Sequence, residues 1–261
     1  MRGTATLLRV ALLVTLAPAV SAACGQGPTG PGPGERGVLF VGNSLTYYND
    51  LPAILEGLLA AGGQADFHVE AVTGANYGLP DHWTDGRARE AIAAGGWEVV
   101  VLQQGPSATE GRPYLLDYAE AFAVEIRAIG AVPALYMVWP SLQRAFDSDG
   151  VFDAYRTAAE QVDGYFYPAG EAWRIAWETD PDLGLYGSDG FHPTLLGSWL
   201  AALVMYEQLS GLDARDLPAS IRMGGNSVPV DEAVAALVQA AAHEANVRHA
   251  RAPGAAPQAT R

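Results

Sequence analysis

Apolar positions along this chain fall into short runs, separated by longer stretches with the spacing of an amphipathic helix. Val38–Val41, Phe67–Val72, Val99–Leu102, Ala134–Trp139 and Tyr165–Tyr167 are the runs, and each predicts a strand. Between and after them, helices are expected over Pro52–Ala61, Asp85–Ala94, Tyr114–Ile129, Val151–Val162, Glu171–Trp177, Pro193–Leu209 and Asp231–Val247. Pro52 suits a first helical turn, and Gly95-Gly96 and Gly130 mark stops. Strands that are apolar throughout, alternating with helices, predict a parallel sheet covered on both faces. The fold class expected is α/β: a flavodoxin-like, doubly wound α/β/α sandwich on a five-stranded parallel sheet. In such sheets ligands gather at the carboxyl ends of the strands.

The two ends of the chain read differently from its middle. Arg2 and Arg9 precede an apolar run from Val10 to Val20, and Val20-Ser21-Ala22-Ala23 supplies small residues. That pattern predicts a signal peptide over residues 1–23, too short an apolar run for a membrane span. The only cysteine, Cys24, follows directly, so lipidation of Cys24 in a bacterial lipoprotein is one expectation and a plainly secreted protein the other. A single cysteine excludes a disulfide within the chain and the cysteine-rich zinc patterns. Residues 24–35 are dense in Gly and Pro and read as a linker, 36–248 as the domain, and 249–261 as a flexible tail.

Composition narrows the partners. The 261 residues carry a formal charge of −14, and every basic residue is arginine. Loss of residues 1–23 would remove two arginines and no acid, leaving −16. No basic stripe exists to neutralise phosphates, which argues against a nucleic-acid partner and a polyanionic substrate. No phosphate-cradling glycine loop is present. Asp180, Asp182 and Asp189 are too scattered for a calcium loop, so neither metal nor cofactor is expected.

Two short segments carry chemistry. Gly42-Asn43-Ser44 follows the first strand, so Ser44 sits in a strand-to-helix turn, where a serine can cap a helix or act as a nucleophile. The segment lacks the second glycine of a G-x-S-x-G elbow. Asp189-Gly190-Phe191-His192-Pro193 follows the fifth strand and its helix. An acid three residues before a histidine can hold one imidazole nitrogen and leave the other for a serine. Both segments are expected at the same edge of the sheet. On loops of that edge, Tyr47, Tyr48, Asn76, Tyr77, Trp139 and Ser141 are available to line an acyl or sugar pocket, with Tyr47, Asn76 and Trp139 the foremost substrate contacts. His68 reads as structural, His82-Trp83 as a loop without a named partner, and Trp173, Trp177 and Trp199 as core.

Gly42-Asn43-Ser44-Leu45 resembles the first block of SGNH/GDSL hydrolases, G-D-S-L, with Asn for Asp. Asp189-x-x-His192-Pro193 resembles their last block, and Gly74 is placed like the glycine of the second. The third block departs from the usual G-x-N-D: here it is Gln103-Gln104-Gly105, similar to the Q-G-E of some acetylesterase branches. The resemblance spans most of residues 37–210. It implies Ser44 as nucleophile, His192 as base and Asp189 as its orienting acid. It also implies an oxyanion hole from the N–H groups of Ser44 and Gly74 and the side chain of Gln104, with Gln103 as the alternative.

The function expected is an exported serine ester hydrolase acting on small acyl esters, O-acetyl groups of a carbohydrate foremost. A lipase or thioesterase, acyl transfer by the same residues, and a non-catalytic glycan-binding module on this scaffold are the competing readings. The partner expected is a small-molecule or glycan ester, with a membrane tether through Cys24.

Overall fold

The computed structural model describes residues 28–223 and 225–254; the expected signal peptide and Cys24 lie outside them. Five strands form one sheet: β1 (Arg36–Gly42), β2 (Phe67–Thr73), β3 (Trp97–Leu102), β4 (Val132–Tyr136) and β5 (Tyr165–Tyr167). Their spatial order is β2-β1-β3-β4-β5, and every neighbouring pair is parallel. This is the expected doubly wound sandwich. The order reverses between β1 and β3, so a crevice opens there at the carboxyl edge. Val38 to Val41 and Val100 to Leu102 have no exposed surface, as strands packed on both faces require.

Helices α1 (Ser44–Tyr47), α2 (Leu51–Ala61), α3 (Leu79–Asp85), α4 (Arg87–Ala94), α5 (Arg112–Ala128), α6 (Ser148–Gln161), α7 (Ala169–Thr179), α8 (Leu195–Ser210) and α9 (Glu232–His249) cover the faces. The single helix expected over Asp85–Ala94 is two. Gly86 adopts φ 86°, a left-handed conformation that ends α3 and redirects the chain into α4. Pro193 does not open α8. The cap is Thr194, whose Oγ1 accepts from the Gly197 N–H at 3.2 Å, and Pro193 stays in the preceding loop. The fourth run ends as a strand at Tyr136, three residues before Trp139.

A hairpin of β6 (Ser220–Met223) and β7 (Asn226–Pro229) was not legible from hydrophobicity, because β7 is exposed throughout. It lies against α2 at Gly57, where a Cβ would strike the Arg222 carbonyl.

The domain extends beyond its expected boundaries at both ends. Thr29 and Gly30, inside the expected linker, donate backbone N–H groups to the Glu70 carboxylate of edge strand β2, each at 3.2 Å. At the opposite edge the Phe166 N–H of β5 donates to the Arg251 carbonyl at 2.9 Å, and Arg251 donates to Asp163 at 2.7 Å. Residues 249–254 are therefore docked, because an edge strand leaves backbone groups that a passing segment can pair.

Candidate active site

Ser44, Asp189 and His192 meet at the carboxyl edge, beside the crevice between β1 and β3. Ser44 is the first residue of α1, and its hydroxyl lies 2.9 Å from His192 Nε2. His192 Nδ1 lies 2.6 Å from Asp189 Oδ2. The other carboxylate oxygen, Oδ1, accepts the N–H groups of Phe191 and His192, each at 3.0 Å. An ionised Asp189 accepts a hydrogen bond from Nδ1–H, which keeps the proton on that nitrogen, so the lone pair of Nε2 faces Ser44, whose hydroxyl donates to it. The bond from His192, followed by those two N–H groups, pulls the Asp189 carboxyl down to about 2. Ser44 is 9% exposed and the His192 side chain 25% exposed.

The nucleophile turn is held from β3. Gln103 has no exposed surface and uses its amide completely. Its Oε1 accepts from the Asn43 N–H at 2.9 Å and from the Thr46 hydroxyl at 2.8 Å. Its Nε2 donates to Asn43 Oδ1 at 3.1 Å and to the Gln104 carbonyl at 2.7 Å. Asn43 in turn caps α1 through Oδ1, which accepts from the Leu45 N–H, and donates Nδ2 to the Tyr77 carbonyl. A Cβ at Gly42 would collide with Thr46 and Gln103, which explains the glycine.

Two of the three expected oxyanion donors are engaged elsewhere. Gln104 Nε2 donates to Gly111 O at 2.8 Å and Ser107 Oγ at 3.2 Å, and its Oε1 accepts from the Leu79 N–H at 3.1 Å. Successive residues leaving a strand point to opposite sides, so Gln103 reaches the Ser44 turn and Gln104 reaches α3 and the 105–111 loop. Neither glutamine offers a free amide proton. The Gly74 N–H donates to the Gly42 carbonyl at 3.1 Å, continuing the β1–β2 ladder one step past the strand. The space above Gly74 is filled by the ring of Tyr77. The Ser44 N–H, at the first position of α1, lies outside that helix's own bonding.

The substrate contacts expected from sequence divide. Tyr47 is 43% exposed beside Ser44, and Asn76 is exposed at φ 60°, a conformation asparagine tolerates. Trp139 is corrected: it is 2% exposed, stacked on Trp173 with centroids 3.5 Å apart, and donates its indole N–H to the Phe191 carbonyl at 3.1 Å. It braces the histidine loop from the core and presents no surface beside Ser44. His82 was left without a partner and has one: Nε2 lies 2.8 Å from the Gly42 carbonyl, and burial lowers its pKa.

A cleft of about 200 Å³ lies beside the histidine loop, bounded by Pro106, Ala108, Pro140, Ser141, Arg144 and Phe191. Another cavity, about 760 Å³, runs along the outer edge of β2; neither it nor the smaller cleft is lined by Ser44, Asp189 or His192. Among the described residues, Glu207, Asp213 and His243 bring ligand atoms close enough for a cation. His243 Nδ1 already lies 3.0 Å from Glu207 Oε1, and Asp213 pairs with Arg215.

Comparison with known proteins agrees on the fold. No family model matches the chain, and no curated protein matches it. Among solved structures, one from Slackia heliotrinireducens, described as a candidate SGNH hydrolase, is 26% identical at TM-score 0.59, covering 67% of this chain and 99% of its own. A DUF4886 family protein from Bacteroides uniformis is 19% identical at TM-score 0.65, covering 82% and 95%. The acetyl xylan esterase AlAXEase is 14% identical at TM-score 0.52, covering 66% and 99%.

Proposed function

For a chain that belongs by its fold with the SGNH hydrolases, we propose a serine ester hydrolase whose catalytic residues are Ser44, His192 and Asp189. The observation that carries this reading is the unbroken hydrogen-bond chain from the Ser44 hydroxyl through His192 to Asp189 at the carboxyl edge.

In this mechanism Ser44 Oγ attacks the ester carbonyl while His192 Nε2 takes its proton. Asp189 holds the imidazole in the required tautomer and stabilises the positive charge it gains. The carbonyl oxygen becomes an oxyanion, toward which the Ser44 N–H is available as a donor. His192 returns the proton to the departing alcohol, leaving an acyl-Ser44. A water molecule, deprotonated by the same nitrogen, then releases the acid and restores Ser44.

The substrate read here is a short acyl ester, with O-acetyl groups on a carbohydrate foremost. The Gln103-Gln104-Gly105 block, similar to that of some acetylesterase branches, supports this choice, and one structural neighbour is an acetyl xylan esterase. A second reading, a lipase or thioesterase, is favoured by Leu142 and Phe146, which are 61% and 80% exposed in the loop next to the cleft. The sequence signal for export supports an activity outside the cytoplasm, with Cys24 as the proposed tether or a secreted form as the alternative.

Fluorophosphonate labelling of the full chain, with peptide mapping, tests the chemistry. A single adduct on Ser44 that is absent in His192→Ala supports the reading; a folded chain without an adduct overturns it. Acetate release from acetylated xylan, compared with hydrolysis of long-chain p-nitrophenyl esters, decides between the two substrate classes.

A further inference from the structure

The segment that leaves the nucleophile turn crosses the site and grips the base. After α1, residues Tyr48–Asp50 form a short 3-10 turn in which Asn49 and Asp50 both take left-handed backbone, at φ 60° and 55°. Asparagine and aspartate are the side chains that bear this conformation best. The turn lays the Tyr48 ring on the His192 imidazole, with centroids 4.6 Å apart and planes 20° from parallel. It also aims Asn49 Nδ2 at the Pro193 carbonyl, one residue beyond His192, and at Ser198 Oγ, each at 3.0 Å. Ser198 is wholly buried in α8, so Asn49 is anchored to the core as well as to the histidine loop.

The physics of the imidazole makes this grip consequential. The bond to Asp189 fixes Nδ1 but leaves the ring free to tilt, because the terminal torsion of histidine is broad. A flat ring stacked on one face removes that freedom and keeps Nε2 aimed at Ser44. When His192 takes the proton, the cation it becomes rests on an aromatic face, which attracts positive charge. Asn49 ties the backbone carrying the base to the segment carrying the nucleophile, so the two move together. Ser44 and His192 are 148 residues apart in sequence, and this strap is a direct link between their loops.

We infer that Tyr48 and Asn49 are positioning residues of the proposed ester hydrolase, Tyr48 by fixing the plane of the His192 ring and Asn49 by fixing the separation of the two loops. The inference rests on the reading of Ser44 and His192 as the reacting pair. A tyrosine that only walled the substrate pocket would act on KM, whereas a positioning residue acts on kcat.

The test uses the full chain with p-nitrophenyl acetate and a fluorophosphonate. Tyr48→Leu and Asn49→Gly each lower kcat and the Ser44 labelling rate about tenfold or more, with KM within about twofold. Tyr48→Phe keeps the stack and restores kcat to within about threefold of the parent. Asn49→Gly retains access to left-handed backbone, so its loss reports the side chain alone. In carbon–proton NMR spectra the His192 Hε1 resonance, assigned with His192→Ala, is shifted by the Tyr48 ring current in the parent and in Tyr48→Phe, and returns in Tyr48→Leu. Parent-like kcat in Tyr48→Leu and Asn49→Gly, a loss confined to KM, or a His192 resonance indifferent to Tyr48 overturns the inference. An unlabelled Ser44 in the parent chain overturns the hydrolase reading and this inference with it; that failure shows in the parent, whereas failure of the inference alone shows only in the variants.

Discussion

The indole N–H of Trp139 holds the carbonyl of Phe191 at 3.1 Å, so a side chain inside the core fixes the backbone one residue before the proposed base. Trp139→Phe keeps an aromatic face on Trp173 but deletes this bond and part of the buried ring. The expected result is a loss of about 2–3 kcal/mol in denaturant stability, bond and cavity together, with a fall of about tenfold in kcat on p-nitrophenyl acetate. Trp139→Ala also empties the core and is expected to cost about 3–5 kcal/mol.

The adjacent glutamines are expected to separate cleanly. Gln103→Leu strands the buried Asn43 N–H and Thr46 hydroxyl, while Asn43 Oδ1 keeps the Leu45 N–H and the Gln104 carbonyl keeps the Tyr155 hydroxyl. At about 1–3 kcal/mol for each unpaired group, urea melts are expected to show at least about 2 kcal/mol of destabilisation, with Ser44 labelling lost. Gln104→Leu breaks three bonds to α3 and the 105–111 loop but leaves the Ser44 turn intact. It is expected to destabilise by about 2 kcal/mol and to label within about tenfold of the parent rate. A fall of about 10² to 10³ at matched stability would mark Gln104 as an oxyanion donor after all.

Acidification is expected to spare the Asp189–His192 pair until well below the usual carboxylate range. A carboxyl with a lowered pKa stabilises the fold in its ionised form, fully above its unfolded value and less as pH falls through about 2. The Asp189 carboxyl carbon, followed by NMR, is expected to titrate near 2 in the parent. In His192→Ala, which removes the largest cause of the shift, it is expected to move up toward the ordinary value of about 3.9. Asp189→Asn, unable to accept the Nδ1 proton as a carboxylate does, is expected to lower kcat by about 10⁴.

His82 gives the opposite sense of titration. Burial keeps it neutral, so below the ordinary histidine value of about 6.5 the unfolded chain binds a proton that the folded chain refuses. Stability is therefore flat at higher pH and falls as pH drops from 7 toward 5. His82→Gln is expected to flatten that slope in thermal melts. A remaining slope is expected from His249, whose pKa burial also lowers.

The five strands were legible because most are short apolar runs between helical stretches; β2 is the exception, alternating apolar residues with His68 and Glu70. The meeting of Ser44, Asp189 and His192 was legible because it depends on local spacing and on the strand that each segment follows. Gln103 and Gln104 were not separable in the sequence, since which of two neighbours faces the nucleophile depends on where the strand's alternation stops. Trp139 was read as a loop aromatic because its run continues past Tyr136, yet its partner Trp173 comes from α7, far along the chain. The role of Gly74 was likewise set by a distant event, the arrival of the Tyr77 ring and the extra rung to Gly42. The β6–β7 hairpin buries only Ile221, and β7 is exposed throughout, so no periodicity marked it.

The saturated amide of Gln103 also bears on how this site can change by descent. Gly42, Asn43, Thr46 and Gln103 form a linked set in which the Gln103 amide answers Asn43 and Thr46 and the glycine leaves them room. A single replacement within the set leaves a buried partner unanswered, so drift at one position is blocked unless another changes with it. In a family of related chains these four positions are expected to be inherited as a block and to covary when they vary, more tightly than Tyr47 or Asn76, whose exposed side chains are free to follow the substrate.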